Sequence, residues 1–150
     1  MKVENRIIIN RTRDKVFSLV SDFEAWPNFI PTYKEVKIVE REGNKMVIER
    51  KGEVRGKPIF WRSEVFLSPP DLIKARQIKG PIPDMEIVWY FKEKENKTEI
   101  ILIHKFRHKI PIIGDLIAGI LVKKMAQETL KAIKRRIEEW KVTHQVFLGF

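Results

Sequence analysis

The sequence predicts an α+β protein in which a curved antiparallel sheet of seven strands wraps around one long C-terminal helix. Three observations predict this class. Strand-like segments recur from residue 33 to residue 107, with polar turn signals between them. A short helical region separates them from a first strand at the N-terminus, and a long charged helix follows them. A chain of 150 residues fits one domain, residues 1–150.

The N-terminal part predicts a strand and two short helical pieces. Val3–Asn10 is the first strand, and Thr12 is expected to cap a helix that starts at Arg13. Pro27 and Pro31 end regular helix and leave an aromatic turn between them. One apolar helix face recurs at helical spacing and consists of Val16, Phe17, Val20 and Phe23.

Six further strands are predicted, each closed by turn-forming residues. They are Tyr33–Arg41, Lys45–Arg55, Ile59–Leu67, Leu72–Lys79, Met85–Lys92 and Thr98–Arg107. Apolar and aromatic residues alternate with charged ones in several of them, as Trp61 alternates with Arg62 and Glu64. One side of the sheet is therefore expected to be solvated while the other faces a core.

The last third predicts one helix, Ile113–Thr143. Its apolar stripe is spaced by four and three residues and consists of Ala126, Leu130, Ile133, Ile137 and Trp140. The preceding run Ile110–Val122 is apolar almost all round and lies between basic residues. Three interpretations stay open for this run: a buried helix start, a cavity lid, or contact with an anionic membrane surface. The lid or membrane residues would be Ile112, Leu116, Leu121, Lys123 and Lys124.

Composition excludes several classes of protein. The chain has no Cys, which rules out disulfides, a thiolate nucleophile and a Cys-based metal site. Its start lacks the apolar core of a signal peptide, and the longest apolar run is shorter than the roughly 20 residues of a spanning helix. We expect a cytoplasmic protein, with a peripheral position at the inner membrane face left open. The net charge of +10 favours anionic partners or a solvated Lys-rich surface equally.

Three segments carry a family resemblance. Val20–Pro31 is similar to the pattern Val-x-Asp-x-x-x-(Tyr/Trp)-Pro-x-Phe-(Leu/Ile)-Pro. Gly80-Pro81-Ile82 precedes Trp89-Tyr90-Phe91, and Phe106 leads to Pro111-Ile112-Ile113-Gly114. Together they resemble the START-like helix-grip (SRPBCC) superfamily, in its polyketide cyclase/dehydrase and coenzyme Q-binding branch, which also holds ribosome-association toxins.

The resemblance implies an apolar cavity between the sheet and the C-terminal helix, where members bind isoprenoid quinones, lipids or polyketides. No cofactor is implied. Strand alternation and the resemblance together indicate the cavity residues Trp26, Phe29, Trp61, Val65, Trp89, Phe91, Leu102, His104, Phe106, Ile113, Ile117 and Ile120.

The polar candidates favour binding over catalysis. His104 shares the inward face of its strand and is expected to be a cavity-wall histidine rather than a general base. Glu86 and Glu99 fall on exposed faces, and Arg50 or Arg62 is either a ligand anchor or an outer-face residue. The three His lack metal-ligand spacing, so no metal site is expected.

The predicted function is binding, sequestration or transport of a hydrophobic small molecule. Two alternatives stay open: a ribosome- or RNA-associated regulator, and a cyclase/dehydratase-type enzyme acting on a polyketide-like substrate. The basic helix face with Lys131, Lys134 and Arg135 suits phosphate contacts, but no motif for sequence-specific nucleic-acid recognition is present. A homodimer is also left open.

Overall fold

A computed structural model describes residues 1–107 and 115–148, with side chains for residues 1–107 and 117–139. Within these ranges lie seven strands and two α-helices, with a 3₁₀ helix between α1 and β2. The strands are β1 (Lys2–Ile9), β2 (Tyr33–Glu42), β3 (Lys45–Val54), β4 (Lys57–Ser68), β5 (Leu72–Lys79), β6 (Glu86–Lys94) and β7 (Lys97–Lys105). The helices are α1 (Arg13–Ser21), the 3₁₀ helix (Phe23–Asn28) and α2 (Asp115–Leu148).

The seven strands form one antiparallel sheet. Their order is β1-β7-β6-β5-β4-β3-β2, so β2 to β7 follow the chain as a meander and β1 adds beside β7. The first and the last strand therefore lie side by side at one edge of the sheet. The α+β class, the antiparallel meander and the two short helices after the first strand are confirmed.

The short N-terminal helix packs its apolar face on the sheet and leads into the aromatic turn. Val16, Phe17 and Val20 of α1 are buried. Thr12 stands at the N-cap position as predicted, but its side chain makes no capping hydrogen bond. Trp26 Nε1 donates to the carbonyl of Val20 at 3.0 Å, which fixes the indole of the turn against α1.

The long helix is tied to the sheet at β1. Asn5 Nδ2 donates to the backbone carbonyl of Lys123 at 3.1 Å, and Lys134 Nζ donates to the carbonyl of Ile8 at 2.6 Å. Gly119 lies so close to Met1 that a Cβ at this position would clash with the Met1 sulfur. The backbone of α2 stays near β1 and α1 rather than the strands at the far side. Space therefore opens between α2 and the strands β3 to β6.

The predicted apolar stripe of α2 faces the sheet. Ala126, Leu130 and Ile133 are buried, and Ile137 is half-buried. Trp140 lies beyond the described side chains. The helix ends at Leu148 rather than at the predicted Thr143, so part of the apolar tail is helical.

Candidate functional site

A small cavity lies between the inward face of the sheet and α2. Its volume is about 50 Å³. Four aromatic side chains form much of its wall, namely Trp26, Tyr33, Trp61 and Trp89. The polar residues that line it are Arg50, Ser63, Gln77, His104 and Thr129. Among the described residues no Asp or Glu faces this space, which we call the inner cavity.

The strand register places four of these polar residues in one band across the sheet, namely Arg50, Ser63, Gln77 and His104. Arg50 on β3 pairs with Trp61 on β4, and Ser63, further along β4, pairs with Gln77 on β5. His104 lies on β7, which is separated from β5 by β6, and it pairs with Ile87 on β6. Inward-pointing residues of four strands thus converge, because each keeps the two-residue alternation of its own strand.

An irregularity in β5 follows directly after Gln77, which itself keeps the inward phase of Ile73 and Ala75. Arg62 pairs with Lys79 and Ser63 with Gln77, so Ile78 is an extra residue without an opposite partner. Gln77 is 1% exposed, whereas Ile78 points to solvent. Neither the Nε2 nor the Oε1 atom of Gln77 has a hydrogen-bond partner. Buried amides without partners are rare, so this one is available to bind a ligand.

The guanidinium of Arg50 is buried, and it has no acidic partner among the residues that the structure describes. The residue is 6% exposed. Its Nη1 donates to the Tyr33 hydroxyl at 2.9 Å and its Nη2 to the Ser63 hydroxyl at 3.3 Å, while Nε has no partner. The cation also lies 5.5 Å from the Tyr33 ring and 5.2 Å from the Trp61 ring. Every one of these contacts is with a neutral group.

His104 is held neutral near Arg50. Burial, and after it the positive charge of Arg50, lowers the pKa of His104 from 6.5 to about 4. Its Nδ1 atom is buried without a hydrogen-bond partner. The imidazole is therefore uncharged at neutral pH and presents an unsatisfied polar atom inside the protein.

A second, larger space opens beside the inner cavity. This outer cleft has a volume of about 340 Å³ and lies between α2, the end of β3 and the loop after β5. Its wall is mainly apolar and includes Ile59, Ile82, Leu121 and Val122. Four residues line both spaces and so form the wall between them, namely Trp61, Gln77, Met85 and Met125.

Two glycines allow Trp61 to take its place in this wall. A Cβ on Gly52 would overlap the Thr32 carbonyl oxygen and lie 3.1 Å from the Trp61 ring. A Cβ on Gly80 would lie 2.8 Å from Gln77 and 3.1 Å from Trp61, and Gly80 has a φ of +153°, which side chains disfavour. The Gly-Pro motif of the sequence therefore provides room for the indole and for the buried amide.

Six of the twelve sequence-predicted cavity residues line the inner cavity, and they are Trp26, Trp61, Val65, Trp89, Leu102 and His104. Phe91 is buried elsewhere, edge-on to Phe17 at 5.1 Å. Phe106 is buried near the N-terminus, where Met1 N donates to its carbonyl. Phe29 lies outside the cavity beneath Arg136, at 5.8 Å.

The prediction for the first turns of α2 was partly wrong. Ile117 and Ile120 are 55% and 60% exposed and point away from both spaces. A run that is apolar all round does not reveal which face of the helix turns inward, and that is the reason for the error. Leu121 and Lys124 line the outer cleft, and Lys123 is exposed. Ile112, Ile113 and the side chain of Leu116 lie outside the described residues.

The sequence interpretation left Arg50 and Arg62 open and missed several cavity residues. Arg62 is on the outer face, whereas Arg50 shares its buried face with Met46 and Ile48. That alternation was a usable signal for Arg50. The same kind of signal existed for Gln77, because it continues the alternation of Ile73 and Ala75, and it was not used. Tyr33, Met125 and Thr129 were also missed.

Two searches of the described residues were negative. No group of three or more His, Asp or Glu lies close enough together there to hold a metal ion. No helix within the same residues combines the length and the hydropathy that crossing a membrane requires.

Comparison with known proteins identifies relatives of this architecture. The model of the family "Polyketide cyclase / dehydrase and lipid transport" matches residues 9–134. A Streptomyces cyaneus protein provisionally named a polyketide cyclase is 27% identical, covering 91% of this chain and 93% of that protein. The ribosome association toxin RatA of Rickettsia prowazekii (strain Madrid E) is 24% identical, covering 83% of this chain and 88% of the toxin.

Two solved structures share the fold. The Zhui aromatase/cyclase from Streptomyces sp. R1128 has a TM-score of 0.82 at 21% identity, over 91% of this chain and 95% of that one. A START superfamily protein from Mycobacterium smegmatis has a TM-score of 0.74 at 23% identity, over 93% and 98%. These matches confirm the predicted START-like, helix-grip fold.

Proposed function

Because the chain belongs to the polyketide cyclase / dehydrase and lipid transport family, we propose that it binds a hydrophobic small molecule between the sheet and α2. Family membership supports either hydrophobic-ligand binding or cyclisation. We favour binding over cyclisation because an inner cavity and an outer cleft adjoin each other and share a wall. The ligand would be lipid-, isoprenoid- or polyketide-like, held for sequestration or transport, and we retain the cytoplasm as the predicted location.

The outer cleft supplies the room for such a ligand. Its 340 Å³ falls at the lower end of the roughly 300–1,000 Å³ of small-molecule sites. Ligand surface that contacts its apolar wall leaves water and gains about 25 cal/mol per Å². The inner cavity, at 50 Å³, holds only a few water molecules or a small polar group.

The shared wall supports a route between the two spaces. Met85 and Met125 are unbranched and adapt their shape easily. Movement of these two side chains would join the cleft to the cavity without a change in the backbone. Trp61 is held more firmly, between Gly52 and Gly80.

Native mass spectrometry with organic extraction tests the proposal, using a matched pair of variants. Leu121→Asp places a charge in the outer cleft, and Ile120→Asp places the same charge next to it on the exposed face of α2. We expect a discrete hydrophobic adduct on the wild type and on Ile120→Asp, and its loss from Leu121→Asp. Equal retention by the two variants would show that the cleft is not the site.

Enzymatic cyclisation is the second candidate, because polar groups reach the inner cavity. His104 has the neutral form of a base, but with a pKa of about 4 it takes up a proton only weakly at neutral pH. No Asp or Glu is among the described lining residues, so a catalytic role for His104 would draw on neutral or cationic groups of the same cavity, such as the Tyr33 hydroxyl. Turnover of a polyketide-like substrate that is lost in both His104→Gln and Tyr33→Phe would favour the enzyme over the carrier.

Association with the ribosome or an anionic membrane remains a proposal resting on charge. The RatA relative and the net charge of +10 support the first. Exposed Ile117 and Ile120 beside Lys123 support the second. Separate co-sedimentation with ribosomes and with anionic vesicles distinguishes the two. In either case binding should be weaker at high salt than at low salt, because salt screens charge.

A further inference from the structure

We infer that the ligand is an acidic amphiphile, whose anionic head binds Arg50 in the inner cavity while its apolar body occupies the outer cleft. This inference rests on the proposed function and specifies its ligand class. It is carried by a buried guanidinium without an acidic partner, by two further polar groups that face the same space, and by the difference in size between the two spaces.

The charge of Arg50 is uncompensated within the described part of the chain. Its hydrogen-bond partners, Tyr33 and Ser63, and its ring contacts are all neutral. Neutral groups satisfy single N–H donors but leave the net positive charge, whose burial is costly. A carboxylate or an equally acidic oxygen would supply the missing charge and accept from the free Nε–H, with the strength of a charge-assisted bond.

Two other unsatisfied groups point to the same ligand chemistry. Gln77 offers its free Nε2 donor to the cavity, and its Oε1 is free as well. His104 adds a buried Nδ1 without a partner. All three residues are at least nine-tenths buried, with exposures of 6%, 1% and 8% for Arg50, Gln77 and His104. The Arg50 Nε and the Gln77 Nε2 are donors, so a head with several acceptor oxygens makes bonds that an aliphatic group cannot make, and the charge of Arg50 repels a cationic group.

Size sets the orientation of the ligand. The inner cavity of 50 Å³ accepts a head group but no apolar body, whereas the outer cleft offers 340 Å³. The cleft rim carries both signs of charge, with Arg55 and Lys124 against Glu53 and Glu128. Because the rim is mixed, it offers an anionic head no equivalent of the isolated buried cation. The head therefore goes inward and the body stays in the cleft.

Matched probes test the inference. Binding of dodecanoate, dodecanol and dodecylamine is measured by calorimetry and native mass spectrometry, together with 2-naphthoate and 2-naphthylmethanol as a flat pair. We expect the wild type to bind each acid at least about tenfold more tightly than its alcohol, and to bind the amine least. Arg50→Met should reduce the preference for the acid to less than about twofold while alcohol binding persists.

Two controls separate charge from folding. Arg62→Met removes an outward-facing guanidinium and should keep the full preference. Arg50→Lys keeps a buried positive charge, so it should keep a preference for the acid that is smaller than that of the wild type. Alcohols that bind the wild type as tightly as acids would overturn the inference and leave the proposed function standing. Failure of the wild type to bind any probe from either set would overturn both.

Discussion

Arg62 and Arg50 lie on neighbouring strands of one sheet, but the first belongs to its outward face and the second to its inward face. On the outward face Arg62 lies 4.0 Å from both Glu40 and Glu49, within a surface of alternating charges. On the inward face Arg50 has only neutral contacts. The net charge of +10 therefore says little about what binds inside the protein, because among the described side chains most charged residues are solvated while Arg50 is enclosed.

The comparison shows how burial changes the value of a charge. Exposed ion pairs such as Lys37 with Glu35 contribute little to stability, because water and salt screen them. An enclosed cation without a counter-charge costs stability, and a protein retains it where binding requires it. The inward face should therefore respond to pH, to added volume and to loss of charge, while the outward face should respond little.

The largest expected effect is the pH dependence caused by His104. In the folded protein its pKa is about 4, against 6.5 ordinarily, so between these values only the unfolded chain takes up the proton. Its stabilising contribution is complete above pH 6.5, and about 3 kcal/mol is lost as the pH falls to 4. Urea unfolding at pH 7 and pH 5 should show a smaller pH dependence for His104→Gln than for the wild type.

An equal pH dependence in the two proteins would contradict the assignment to His104. The carboxylates with lowered pKa values, Glu35 and Glu138, titrate below their ordinary value of 4.5 and so act mainly below pH 5. Restricting the comparison to pH 5–7 keeps their contribution out of it.

The next effect comes from added volume beside Trp61. Gly52→Ala brings a methyl group against the Thr32 carbonyl and the indole, and we expect it to lower the free energy of unfolding by about 2–3 kcal/mol. Gly43→Ala is the matched control in an exposed turn, where no atom lies within 4 Å and only the φ of +59° opposes a side chain. Its cost should be about 1 kcal/mol. If thermal or urea unfolding showed equal losses of stability for the two variants, the residues around Trp61 would have to rearrange at little cost.

Much of the fold could be predicted from the sequence because each signal was local. The turn residues between strands placed β2 to β7 within a few residues of their observed ends; β7, for example, is Lys97–Lys105 against a predicted Thr98–Arg107. Alternation assigned Trp61, Val65 and Trp89 to the inward face correctly. These features depend on neighbours in the chain, and the sequence contains those neighbours.

The site could be predicted only in part, because it depends on phase and on pairing between distant segments. Ile117 and Ile120 were misassigned since an apolar run gives no helical phase. Gln77 keeps the alternation of Ile73 and Ala75, but a single polar residue in an apolar phase does not by itself show that it is buried. The burial of Arg50 was left open because alternation alone does not exclude an edge or an outer position. The volumes of the two spaces follow from where α2 is tied to β1, which no local pattern encodes.

The smallest expected effect is also the most direct test of the two faces. Arg50→Met replaces the enclosed cation with an apolar chain of comparable length but removes the hydrogen bonds to Tyr33 and Ser63. We expect a net gain of about 1–2 kcal/mol in the free energy of unfolding, since relief of charge burial outweighs the two hydrogen bonds and the two ring contacts. Arg62→Met should stay within about 0.5 kcal/mol. Urea unfolding of both variants in ligand-free buffer makes the comparison. A destabilised Arg50→Met would mean that the enclosed charge is compensated without a ligand. A stabilised Arg50→Met variant that has also lost its preference for acids would show that Arg50 lowers the stability of the fold and serves ligand binding.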